Sequence, residues 1–171
     1  MNILAPVPDE REWLTDVLTR KIPLGGAMQM TIARLDDKGI ELHAPLAPSI
    51  NDKGTAFGGA LVSQMILAGW SLPRLLLRRA KLDADLVIGR CEVRFLKPVE
   101  GDFGVRCDWP EAASLEAFID QVRGRGRGKL ELAPECVIDS EVAATLAARY
   151  AALENPTGSS GKDNGAARPD A

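Results

Sequence analysis

Apolar residues change their period several times along this chain, and each change marks a new element. Trp13, Leu14, Val17 and Leu18 recur at helical spacing over residues 8–20, with Asp9 and Glu10 in the first turn, where acids are favoured. Pro23, Gly25 and Gly26 are expected to end that helix. The period then drops to two. Met28, Met30 and Ile32 alternate over 27–35, and Ile40, Leu42, Ala44 and Leu46 over 39–46, with Asp36-Asp37-Lys38-Gly39 between them as a hairpin turn. A long apolar segment, about Phe57 to Leu82, predicts a buried helix that Pro73 kinks or divides, because proline has no N–H for the preceding turn.

Two clear strands follow. Over 86–97, Val87, Cys91, Val93 and Phe95 share one face and Arg90, Glu92 and Arg94 the other. From Gly101-Asp102 onward, Phe103, Val105, Cys107 and Trp109 alternate against Arg106 and Asp108. One apolar and one polar face indicate an antiparallel sheet packed on a single side. Residues 111–122 predict a short helix broken by Gly124, Gly126 and Gly128, and 129–138 a strand. Residues 141–153 read two ways. Their alanines favour helix, yet Val142, Ala144, Leu146, Ala148 and Tyr150 alternate, and Ile138-Asp139-Ser140-Glu141 looks like a hairpin turn. The polar stretch from Asn155 is predicted to be disordered, which leaves 1–153 as one domain and 154–171 as a tail. This order of elements is α+β, a curved antiparallel sheet wrapped around one long helix.

Composition narrows the function classes. A net charge of −3 gives no global attraction to nucleic acid or to an anionic membrane. The apolar segment is interrupted by Ser63, Gln64, Ser71, Pro73 and Arg74, so it reads as core rather than a membrane span. Cys91, Cys107 and Cys136 are odd in number and lack CxxC spacing, which suggests reduced thiols in the cytoplasm; with His43 the only histidine, no zinc site is expected.

The candidate chemistry lies in Asn51-Asp52-Lys53-Gly54-Thr55-Ala56-Phe57-Gly58-Gly59, a polar turn running into the long helix. A helix start carries unsatisfied N–H donors and the positive end of the dipole, so it favours an anionic or polarised oxygen. Glycines there let a ligand approach the backbone.

This motif, with the strand end Phe95-Leu96-Lys97-Pro98, resembles the hotdog fold of acyl-thioester enzymes. With Ala44-Pro45-Leu46 and Leu67-Ala68-Gly69-Trp70 added, it is most similar to the thioesterase domain at the C-terminus of YiiD-type proteins, over roughly residues 10–153. The resemblance implies a five- or six-stranded sheet around the 57–82 helix, with 141–153 as the last strand. It also implies a homodimer, possibly a tetramer, with the sheets joined across the boundary. The substrate would be an acyl-CoA or acyl-carrier-protein thioester of fatty acid metabolism. No cofactor is expected beyond the coenzyme A or phosphopantetheine of that substrate.

By the same resemblance, an N–H of Gly58 or Gly59 polarises the thioester carbonyl. Asn51 places substrate or the attacking water, or else bonds its own turn. Asp52 is the nearest carboxylate and acts as general base if burial raises its pKa; otherwise it is an exposed turn residue. Thr55 caps the helix or touches the thioester. The family pattern often has a histidine where Phe57 stands, and a carboxylate two turns past the glycines where Ile66 stands. Ser63 and Gln64 are the polar groups left on that part of the helix, suited to substrate contact and to orienting a water. Arg125, Arg127 and Lys129 in the Arg-Gly run fit a clamp for the coenzyme A phosphates, or a solvated loop. Glu92 is a further carboxylate, more plausible in a surface ion pair, and His43 alternates outward. The missing helix acid keeps open a non-catalytic acyl-thioester-binding or regulatory domain; an acyl-thioester dehydratase or hydratase is the other alternative, though that chemistry usually uses a histidine with a carboxylate and no such pair is visible.

Overall fold

The computed structural model describes residues 6–154; of the predicted tail 154–171, Glu154 ends the last strand and the rest lies outside the described residues. The N-terminal helix α1 (Glu10–Asp16) widens into a π-helical turn (Val17–Lys21). Pro23 does not simply stop it. It opens a second short helix, α2 (Pro23–Ala27), because its fixed φ suits a first helical position where the missing N–H is not needed.

The predicted hairpin forms as β1 (Thr31–Leu35) and β2 (Gly39–Ala44). The Asp36 carboxylate accepts the N–H groups of Lys38 (2.9 Å) and Gly39 (3.1 Å) and closes the turn. Its pKa is lowered: slight burial pushes it up, and those N–H groups and the Arg34 guanidinium outweigh that.

The central helix α3 runs unbroken over Gly58–Arg79, through Pro73. The lost hydrogen bond is offset because Pro73 and both neighbouring turns are buried against the sheet. This helix is long and apolar enough to cross a membrane, but most of it is buried and it is the core of the fold.

Next come β3 (Ala84–Phe95), β4 (Phe103–Asp108), α4 (Ala112–Arg125), β5 (Arg127–Leu132), β6 (Glu135–Ile138) and β7 (Glu141–Glu154). The sheet order is β1-β2-β4-β6-β7-β3, all antiparallel, with β5 also paired to β7. The single strand expected over 129–138 is thus two, split at Ala133-Pro134, and Gly124 lies inside α4 rather than breaking it. Residues 141–153 are a strand. Asp139 and Ser140 both take positive φ, as a tight two-residue hairpin turn requires. Ala144, Leu146, Ala148 and Tyr150 face the core, and burial on that face overrides alanine's helical preference.

In β3, Ile88 pairs with Tyr150 but Arg90 with Arg149, so Gly89 is an extra residue. This bulge reverses the facing of the first half of the strand. Leu86 and Ile88 turn inward with Val93, and Val87, expected on the face of Cys91 and Phe95, is exposed. The other edge of β3 pairs with no strand among the described residues.

Candidate active site

The motif loop is fastened before it reaches the helix. Ile50 bridges Ala56. The Ala56 N–H donates to Val99 O (2.8 Å), and the Phe57 N–H to Ser49 O (2.7 Å). Inside the loop the Asn51 side chain is fully engaged: its Oδ1 accepts from the N–H of Lys53 (2.8 Å) and Thr55 (3.2 Å), and its Nδ2 donates to Thr55 Oγ1 (2.9 Å). Asn51 and Thr55 therefore lock each other, and Thr55 does not cap α3. Asp52 is exposed and paired with Lys53 Nζ at 3.0 Å.

Helix α3 begins with no side-chain cap. Phe57 O takes the N–H of Ala60 (2.9 Å) and Leu61 (3.2 Å), while the N–H groups of Gly58 and Gly59 have no acceptor among the described residues. Two phenyl rings flank the pair. A Cβ on Gly59 would stand 2.3 Å from Phe57 Cε1, and one on Gly58 3.3 Å from Phe95 Cζ. Both rings are more than half exposed, at 58% and 56%, and exposed Leu24, Ile50 and Leu96 belong to the same end of the molecule. Two free donors in an apolar surround suit a polarised carbonyl between hydrocarbon arms: donors already fixed in place need no reorganisation when charge develops. A groove of about 410 Å³ leads away from Gly59.

The sequence matches a family of thioester hydrolases. A model of the family described as "Putative thioesterase (yiiD_Cterm)" covers residues 11–154. The chain belongs to this thioesterase family. A protein of unknown function from Chlorobaculum tepidum is 26% identical, with a TM-score of 0.78 over 86% of this chain and 93% of its own. A protein from Shewanella oneidensis described as a "putative thioesterase" is 27% identical, at 0.75 over 86% and 99%. The thioesterase HI1161 of Haemophilus influenzae, 13% identical at 0.67 over 90% and 96%, shares the fold. No curated protein matches the sequence. The long helix cradled by a curved antiparallel sheet is the hotdog fold of these thioesterases.

Asn51, Asp52, Thr55, Phe57, Gly58, Gly59 and Ser63 are gathered around the helix start in this thioesterase. Ser63 Oγ donates to Gly59 O at 2.8 Å. Ile66 is half-buried and its carbonyl accepts the Tyr150 hydroxyl at 2.9 Å. Gln64 lies two residues away, on a different side of the helix, fully buried; its amide, like the buried Ser49 hydroxyl, has no partner among the described residues.

Arg125, Arg127 and Lys129 are not at this end. They line a separate cavity of about 380 Å³ beside α4 and β7, with Arg127 and Lys129 alternating against buried Gly128 and Leu130. Arg127 lies opposite Leu153, whereas Phe95, beside Gly58, lies opposite Ala144, so roughly 30 Å of strand separates them. His43 is exposed on β2, paired with Thr31 and Gly104, and Glu92 is exposed on β3. Sequence reasoning did not find Leu24 and Met28, which line the groove from α2. The Pro-Leu-Gly-Gly-Ala run read only as a helix stop.

Proposed function

We propose that this thioesterase hydrolyses acyl thioesters of coenzyme A or an acyl carrier protein in the cytoplasm. The observation that carries the reading is the pair of unbonded N–H groups at Gly58 and Gly59, held between Phe57 and Phe95 at the start of a 22-residue helix. One N–H donates to the thioester carbonyl oxygen and stabilises the oxyanion as water adds; the thiolate then leaves and takes up a proton. A preorganised donor of this kind supplies on the order of 3 kcal/mol. Asp52, exposed and paired with Lys53 Nζ in one subunit, serves as base on the water only where the assembled site covers it, and the Asn51–Thr55 lock fixes the loop that presents it. Gln64, with its unpartnered amide, is the alternative anchor for that water.

The working unit is a homodimer joined along the free edge of β3. Antiparallel pairing about the middle of that strand would bring the partner's Asp85 end beside Phe95. The partner's Arg127 would then be three strand spacings away, about 14 Å, a span within reach of an extended pantetheine arm. Arg127 opens β5, at the rim of the sheet, where it can meet the phosphates. The distance within one subunit supports a clamp acting from the partner.

Thiol release from acyl-CoAs and from acyl-carrier-protein thioesters tests the reading, with Gly59→Ala, Asp52→Ala, Gln64→Ala and an Arg125/Arg127/Lys129 triple-alanine variant beside the wild type. Release that falls with Asp52→Ala identifies the base; release that falls with Gln64→Ala moves the water to the helix. The second reading, a binding domain without catalysis, is favoured by Ile66 at the family's carboxylate position. It stands if no thioester is hydrolysed while coenzyme A conjugates still raise Tm.

A further inference from the structure

Helix α2 rests directly on backbone. A Cβ on Gly25 would lie 2.0 Å from Leu18 O, and one on Gly26 2.4 Å from Thr19 O, both carbonyls of the π-helical turn. Only glycine allows so close an approach. Met30 N–H to Gly25 O (3.1 Å) and Gln29 N–H to Gly26 O (2.9 Å) tie the same glycines to the entry of β1. The seating holds Leu24 away from the core, 53% exposed, at the groove that leads from Gly59, with buried Met28 in the wall behind it. Ile50, Phe57 and Ala60 also line the groove. Its polar side chains offer little. The Ser63 hydroxyl is committed to Gly59 O, and that of Ser49 is closed off from solvent. The groove therefore presents mostly carbon, with the Ser63 oxygen as the single side-chain acceptor left for the two amides of a pantetheine arm.

We propose that Leu24, backed by Met28, is the specificity-determining wall for the acyl chain. This rests on the thioesterase reading of Gly58 and Gly59: a carbonyl held there directs its acyl side along α2. With a methylene-sized group filling roughly the 30 Å³ of a water molecule, the groove takes a chain on the order of ten to fourteen carbons.

The test uses coenzyme A thioethers with S-alkyl chains from ethyl to hexadecyl, which bind without being hydrolysed. Their affinities are measured by calorimetry for the wild type, Leu24→Ala and Leu24→Trp. Wild-type affinity should rise about fourfold per methylene until the chain fills the groove and then level off between decyl and tetradecyl. Leu24→Trp should bring the plateau to shorter chains, weakening decyl at least about tenfold while ethyl stays within about twofold. Leu24→Ala should extend it. A plateau at the same length in all three proteins, or affinity independent of chain length, overturns the proposal. Hydrolysis of the matching acyl-CoAs by the wild type is scored separately. Chain-dependent binding without hydrolysis removes the hydrolase reading and keeps the groove; hydrolysis with an unmoved plateau removes the groove alone.

Discussion

The far end of the central helix is held by a buried ion pair that makes a sharp prediction. Arg79, the last residue of α3, meets Glu10, the first of α1, in bidentate geometry: Nε to Oε1 at 2.9 Å and Nη2 to Oε2 at 2.7 Å. Their side chains are only 3% and 1% exposed, and the guanidinium lies 5.2 Å from the centre of the Trp109 ring. Glu10→Gln keeps the volume but removes the charge, leaving a guanidinium in a dry site with a half-matched partner. Breaking one side of such a pair costs about 3–5 kcal/mol. For a domain of this size that is a fall in Tm of roughly 6–20 °C. Replacing both residues, Glu10→Leu with Arg79→Met, removes the desolvation penalty together with the attraction and should recover most of the loss. Urea unfolding followed by tryptophan fluorescence, with calorimetry, reads both variants. Hydrolysis should be nearly unchanged below Tm, since the pair lies about 30 Å along the helix from Gly58. A loss under about 1 kcal/mol for Glu10→Gln, or a double variant no better than the single, would refute the reasoning.

Other expectations follow from named contacts. In Gly69→Ala the new Cβ would lie 2.4 Å from Tyr150 Oη and 2.9 Å from Pro134 Cγ, so overpacking and a broken Tyr150–Ile66 bond should outweigh the gain in helix propensity and cost about 2–3 kcal/mol in urea melts. Gly59→Ala meets only the edge of an exposed Phe57 ring, which can turn; stability should hold within about 1 kcal/mol while kcat/KM falls at least about tenfold. Burial pushes the Cys136 thiol up to about 11; burial, then the Asp108 carboxylate, pushes Cys107 up to about 12. The unfolded chain loses these protons first, so stability should be full below about pH 9 and decline as pH rises toward 11–12, with a shallower slope in Cys136→Ala. Exposed Cys91 lies on the free edge of β3. If that edge joins two subunits, its labelling rate should fall as protein concentration rises, and a rate independent of concentration would speak against that dimer.

Much of the fold is legible because local and tertiary demands agree. Asp36 through Gly39 makes its turn with its own carboxylate, and β4 keeps its alternation without a bulge. The failures occur where packing decides. Pro73 is carried through α3 by burial, Gly89 shifts the face of β3 by one residue, and the alanines of β7 obey the sheet rather than their propensity. The site divides in the same way. The glycine pair is visible because a helix start has open donors whatever surrounds it. That Asn51 bonds within its own turn is one of two open readings of the sequence, whereas its bond to Thr55 emerges only from the three-dimensional loop. The rings over Gly58 and Gly59 and the overhang of Leu24 were not visible at all, since they depend on where distant segments come to rest.

The seating of α2 on the π-helical turn has a consequence for how such a protein diversifies. The groove wall is carried by residues 22–28, and the donors and loop lock by residues 51–59, with no side-chain hydrogen bond between the two segments among the described residues. Leu24 is exposed and stands outside the core, so it can be exchanged at little cost in stability. Substitutions there can redraw what the groove accepts while the thioester-facing backbone keeps its geometry. Selection can therefore act on the ligand range and on the reaction through separate stretches of sequence.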